Sequence, residues 1–210
     1  MFCLQRVIMP FLRLDFKSPL PTTSSNRYIL TIIDEFSRFP FAFTCKKIDA
    51  ITVKTCLNQL FAVFGMPNYV HTDRAATFMS RELSQYFQRC GIARSRTSVY
   101  NAPGNGQCER YNGSIWSAFK LALKSRKLDT CHWELVLLDA LHSIRSLLCT
   151  ATNQTPHERL FNHKRKSTFG TSVPTWLSTP GPVYLKRHVR TSMTHWWTKL
   201  HLCTLHRIML

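Results

Sequence analysis

Two β-rich runs joined by a short polar turn constrain this chain more than any other feature. In "RYILTIIDEFSRFPFAFTC" the runs are Tyr28 to Ile33 and Phe39 to Thr44, and "DEFSR" between them reads as a hairpin turn. The period then changes. "DAITVKTCLNQLFAVFG" places Val53, Leu57, Leu60, Phe61 and Phe64 on one helical face, with Asp49 to cap its start and Gly65 before Pro67 to stop it. "NYVHTD" is then a short strand with Asp73 at its C-terminal end. Ser80 can cap "RELSQYFQRCG", and "ARSRTSV" is another strand. Upstream, "RLDFKSPLP" reads as a short strand carrying Asp15 and ended by prolines. Strands first, then helix and strand in alternation, predict an α/β fold: a mixed sheet with helices packed on it. Further on, "WELVLLDALHSIRSLLCT" reads as one apolar helix, with Trp133, Leu137, Ala140, Leu141, Ile144 and Leu148 as its buried stripe. "NQTPHERLF" resumes as a short helix with Pro156 in its first turn.

Charge narrows the partner. The 210 residues hold 28 Lys and Arg against 11 Asp and Glu, a formal net charge of +17. Such an excess points to a polyanion, nucleic acid first and an anionic membrane surface second. No run of about 18 apolar residues could span a bilayer, so no membrane partner is expected. The eight Cys are scattered without a Cys-x-x-Cys pair, and the start shows no signal-peptide pattern. Reduced thiols in an intracellular protein are the expectation. After Glu158 no acid occurs, and that stretch carries nine Lys and Arg; "HKRK" reads as a linker or a basic arm.

With so few acids, their positions inform. Asp15 sits in the first strand, Asp73 closes a later one, and Glu109 comes after the Gly-rich "NAPGNG" where a loop becomes a helix. Strand ends and helix starts on one edge of an α/β sheet are where ligand groups converge. A carboxylate in a helix first turn is favoured by the dipole. Three carboxylates gathered together would need divalent cations, and Mg²⁺ suits an all-oxygen site. Two such ions about 4 Å apart can activate an attacking oxygen and stabilise a leaving oxygen on phosphorus. Plainer readings stand beside this one. Asp34, in the turn with Glu35, is the rival to Asp15, although hairpin acids are usually solvated or bonded to nearby backbone. Asp73 could merely cap "DRAAT", and Glu109 could be a first-turn acid and nothing more. Trp116 and Phe119 read as core residues.

Thirty-five residues separate Asp73 from Glu109. That spacing, with "IDEFSRFPFAF", "YNAPGNGQCER" and "NQTPHERLF" in order, resembles the catalytic core of retroviral and LTR-retrotransposon integrases, the gypsy-type ones above all. "YNAPGNGQCER" agrees with the family's Tyr-Asn-Pro-Gln-Gly-Asn-Gly-Gln-Val-Glu-Arg at all but three positions. The resemblance runs from about Leu14 to Phe161. It implies a ribonuclease H-like fold with a mixed five-stranded sheet flanked by helices. It also implies a polynucleotidyl transferase that cuts and joins DNA by direct phosphoryl transfer. Asp15, Asp73 and Glu109 would be the catalytic residues and hold Mg²⁺ or Mn²⁺, two ions with DNA bound. Tyr100, Asn105 and Gln107 would line the DNA ends. Lys120 and Lys124 would contact phosphates, although they could equally be the wet face of their helix. The partners implied are element and target DNA and a second copy of the core, in the nucleus or in the cytoplasm before nuclear entry.

The departures from the family shape the remaining expectations. Residues 1–9 read as an N-terminal remnant, 10–165 as the catalytic core, and 166–210 as a basic extension, partly disordered or out of frame. No zinc is expected: the family's N-terminal His/Cys domain has no counterpart, and "HWWTKLHLCTLH" fits no finger spacing. Ala75 replaces the glycine usual two residues after the second aspartate. Were a positive φ needed there, Ala would strain the turn by about 1 kcal/mol. Ser18 replaces a glycine, and Pro103 has moved by one place and stiffens the loop. The alternative to an enzyme is a catalytically weak or inactive remnant that only binds nucleic acid.

Overall fold

The computed structural model describes residues 9–17, 19–97, 106–149, 152–167 and 170–171; at 106–110, 166–167 and 170–171 it describes the backbone. Five strands form one mixed sheet in the order β3-β2-β1-β4-β5. They are β1 (Phe11–Lys17), β2 (Tyr28–Asp34), β3 (Pro40–Cys45), β4 (Tyr69–Thr72) and β5 (Ala93–Arg96). The first three pair antiparallel, and β4 and β5 add in parallel to β1. The hairpin and the alternating segment of the sequence thus become the two halves of one sheet. A two-stranded ribbon, β6 (Lys166–Ser167) and β7 (Gly170–Thr171), stands apart from it.

The pleat sends alternate residues to opposite faces. Leu12 and Leu14 of β1, Leu30 and Ile32 of β2 and Val70 of β4 pack with helix α1 (Ala50–Phe64) and helix α3 (Arg81–Arg89). Val53, Leu57, Leu60 and Phe61 of α1 are buried there as their spacing requires. Asp49 accepts from Thr52 N at the start of α1, and Gly65, at φ 80°, ends it. Ser80 caps α3 by accepting from Leu83 N. A short α2 (Ala76–Met79) precedes it.

The other face is covered by α4 (Gly106–Ser125) and α5 (Leu137–Arg145). Ile115, Phe119 and Leu123 of α4 meet Trp133, Val136, Ala140 and Ile144 over Ile29. Phe119 is fully buried and Trp116 partly so, which places both in the core.

The single helix expected over 133–150 is divided. Thr130–Val136 is 3₁₀, capped by Asp129 and kinked at His132, and α5 comes after it. In a 3₁₀ turn residues i and i+3 eclipse, so Trp133 and Val136 both reach the core. Leu148 lies beyond the end of α5 and is half-buried. The last helix, α6 (Pro156–Phe161), has Pro at its first position and a complete capping box between Thr155 and Glu158.

Among the described residues no helix is long and apolar enough to cross a membrane. The proposed N-terminal remnant lies almost wholly outside the described residues. So does the basic extension beyond Thr171, including the His- and Cys-bearing segment.

Candidate functional site

Asp15 and Asp73 stand side by side. The parallel register of β1 and β4 pairs Arg13 with His71 and Leu14 with Thr72, and one more step brings Asp15 level with Asp73. Neighbouring strands lie about 4.8 Å apart, and residues in parallel register send their side chains to the same face. That face is the one α4 covers. Both residues are half-buried: Asp15 lies within β1, two residues before its end, and Asp73 comes just after β4. Ala75 N donates to Asp73 Oδ1 at 3.0 Å, which fixes the carboxylate against its own turn. Ala75 itself has φ −57°, ordinary for any L-residue, so the turn carries no strain and the family glycine is not needed for it.

The third element arrives through a residue that sequence reasoning missed. Asn112 Nδ2 of α4 donates to Asp15 Oδ2. This bond clamps the N-terminal part of α4 over the end of β1. Position 109 lies one helical turn before Asn112, in the first turn of a helix that starts at Gly106. The side chains of Glu109 and Gln107 lie outside the described part, as do residues Tyr100 and Asn105 with the loop they belong to, and Ser18 and Pro103. One sequence signal does point to Asn112: it is an amide three residues after Glu109, on the side of the helix that must face the sheet.

The donors fit a hard divalent cation. Asp15 and Asp73 supply only oxygen, and the Oδ1 of Asn112, beside Asp15, is buried with no hydrogen-bond partner among the described residues. Among the described residues no three His, Cys, Asp or Glu side chains gather to hold a metal; two of the three expected carboxylates are in that set. Two residues back along each strand, the same face is polar and balanced. Arg13 pairs with Glu35, which also takes Arg38 at 2.9 Å. His71 lies between the hydroxyls of Ser95 and Thr97, at 2.7 and 3.2 Å. Burial, then the Arg13 charge, hold its imidazole below the usual range, so it is neutral at pH 7.

Asp34 belongs elsewhere. It is fully buried at the end of β2, and its Oδ2 accepts from Ser37 N at 2.7 Å and from Ser37 Oγ. It braces the hairpin turn. Lys120 and Lys124 are exposed on α4.

Residues 11–102 match the family model described as "Integrase core domain". The chain is 32% identical over 135 residues to the Pol polyprotein of Radiation murine leukemia virus (strain Kaplan), covering 63% of this chain and 23% of that protein. It is 23% identical over 148 residues to the Pro-Pol polyprotein of Feline foamy virus, covering 70% of this chain and 12% of that one. The matched stretch is therefore a quarter or less of these relatives' length. The fold is similar to that of the HTLV-2 integrase catalytic core domain, solved in complex with magnesium in a trimeric form. The TM-score is 0.58 at 18% identity, over 71% of this chain and 95% of that one. The sheet order and flanking helices are those of a ribonuclease H-like fold.

Proposed function

We propose, from the match of residues 11–102 to the integrase core domain, that this chain acts in DNA integration as a polynucleotidyl transferase, cutting and joining DNA by direct phosphoryl transfer. One observation supports this above the others. Asp15 on β1 and Asp73 just past β4 are neighbours when the parallel register is carried one step on, and Asn112 ties α4 to Asp15. Two carboxylates there, with no cation paired to Asp73 among the described residues, make sense as a site awaiting a counter-charge.

In this reading Asp15, Asp73 and Glu109 hold Mg²⁺ or Mn²⁺. When bound, such ions stabilise charge on the attacking and leaving oxygens of the phosphodiester. The chain's own residues do the positioning. The β1–β4 register sets the separation of Asp15 and Asp73, Asn112 fixes the rotamer of Asp15, and Ala75 N fixes that of Asp73. Tyr100, Asn105 and Gln107 would line the DNA ends, and Lys120 and Lys124 would contact phosphates without reading sequence. A gypsy-type element as the source, a homo-oligomeric core and a nuclear site of action belong to the same proposal.

The rival is a remnant that binds nucleic acid without turnover, favoured by the +17 charge, which alone suffices for binding. One assay separates the two. A branched DNA is incubated with the protein and Mg²⁺ or Mn²⁺, alongside Asp73→Asn. Metal-dependent joining or its reversal, absent in the variant, is the expected result. Equal binding by both proteins with no turnover by either would leave the remnant standing.

A further inference from the structure

The strand ends along one rim of the sheet carry a row of exposed cations. Strands β1, β3, β4 and β5 run in one direction and β2 in the other. The last residues of four strands and the first of β2 therefore share this rim. Lys17 ends β1 and Arg96 ends β5. Arg27 comes just before β2, Lys46 and Lys47 just after β3, and Arg74 next to Asp73, past β4. The register makes the row continuous. Lys17 is level with Ile29 and Thr44, and Tyr28 with Cys45, so one more step brings Arg27 beside Lys46. All of these cations are exposed.

None of them is in an ion pair among the described residues, where the pairs are Arg13 and Arg38 with Glu35, Lys54 with Glu82, and Arg126 with Asp139. Asp49, close to Lys47 in sequence, accepts from Thr52 N at the start of α1. The opposite rim differs: Arg38, in the hairpin turn there, is matched by Glu35 at 2.9 Å. A solvated basic face would account for the exposure. It does not account for a cation at the same end of every strand in the five-stranded sheet. At about 4.8 Å per strand the row is about 19 Å long. Its neighbours lie within the range of about 10 Å over which exposed charges repel at 0.1 M salt. Such a row strains the free fold and is relieved when a polyanion covers it.

We propose that this strand-end row binds the backbone of duplex DNA. Phosphates would sit on Arg27, Lys46 and Lys47 to one side of the Asp15–Asp73 pair and on Arg96 to the other, with Lys17 and Arg74 next to the pair itself. The sheet order puts β1 and β4 between those two groups, so the backbone would cross the carboxylates on its way. At 3.4 Å per nucleotide of one strand, about 19 Å spans about five or six phosphates, which matches the number of cations. At the β3 end, Lys46 and Lys47 line an open cavity of about 580 Å³ with Thr44, Thr52 and Thr55, a concave seat for a phosphate. Contacts of this kind position a duplex and read no sequence. The inference rests on the proposed function for its partner, but it needs no metal and no turnover.

The test uses the full chain and a short fluorescent DNA duplex, with binding measured over a salt series. Arg96→Gln should flatten the dependence of log K on log salt by about 0.9, and the double variant Lys46→Gln, Lys47→Gln by about 1.8, for one and two lost phosphates. Arg89 is the control of equal charge: it is exposed at the end of α3, just before β5 begins and so away from this rim. Arg89→Gln should keep the wild-type slope, and all variants should melt near the wild-type temperature. Unchanged slopes in the row variants overturn the proposal. So does equal flattening by Arg89→Gln and Arg96→Gln, which would mean that net charge alone drives binding. Unchanged DNA slopes with lost binding to vesicles of phosphatidylserine and phosphatidylcholine would overturn it in favour of a membrane surface. Flattened slopes in a protein that never joins branched DNA would support the row and sink the enzyme, so the two readings fail separately.

Discussion

At the scale of single residues, the site depends on rotamers that other side chains impose. Asp15 lies on a strand, and its carboxylate could turn along the strand towards Arg13 or across to Asp73. The Asn112 amide selects the orientation by donating to Oδ2. Asn112 is thus a positioning residue. Asn112→Ala should lower metal-dependent turnover of branched DNA by about 10- to 100-fold, as loss of an outer-shell partner generally does. It should also weaken activation by Mg²⁺ more than by Mn²⁺, because Mg²⁺ demands near-ideal octahedral geometry and dehydrates reluctantly. Salt-dependent DNA binding and thermal melting should stay near wild type. A uniform loss of melting temperature, binding and turnover together would mean that Asn112 merely holds α4 in place. Asp34 is the contrasting case. It has the same chemistry as Asp15, but Ser37 holds its carboxylate inside the hairpin turn. Residue type does not separate the two aspartates; the partner does.

Secondary-structure elements were legible where a local signal fixes them. Asp49, Ser80 and the Thr155–Glu158 box all cap the helices that the sequence indicates, and Gly65 ends α1 in a conformation with positive φ. Each of these is decided within four residues, so the sequence holds the answer. The 3₁₀ segment before α5 was not legible. Its apolar spacing suits an α-helix equally well, and only the packing of Trp133 and Val136 against α4 selects the tighter turn. Likewise the Arg145 clamp on Phe39 and Pro40 joins residues 105 positions apart, which no local pattern encodes. The box on α6 is the element-scale feature most open to test. Thr155 is buried and its hydroxyl accepts from Glu158 N at 3.1 Å. Thr155→Ala should cost about 1–2 kcal/mol of stability, measured by urea unfolding. Thr155→Ser should recover most of that. If Thr155→Ala were neutral, side-chain packing such as the Phe39–Phe161 ring contact at 5.6 Å would hold α6 without the box.

At the scale of the whole molecule, a +17 chain must fold against its own repulsion, and pH should reveal where that repulsion is concentrated. His142 and His157 both lie below the usual histidine range, through burial first and Arg165 next. Arg145 adds to both, His163 adds to His157, and Asp139 and Glu158 oppose from their own sides. A histidine depressed in the folded state binds its proton more readily once unfolded. The unfolded chain therefore takes up protons first as the pH falls through about 6.5, and stability declines from there towards the lower folded values. Above that range the contribution is fully present. The melting temperature should hold steady from pH 8 to 7 and fall as the pH is lowered towards 5. Removing the shared cation should blunt this: Arg165→Gln raises both histidines towards their ordinary range, so its melting temperature should fall less over the same interval. The carboxylates of the sheet and the caps are intact in both proteins, so acid loss from them cancels in the comparison. A variant curve parallel to the wild type would show that Arg165 does not govern these histidines.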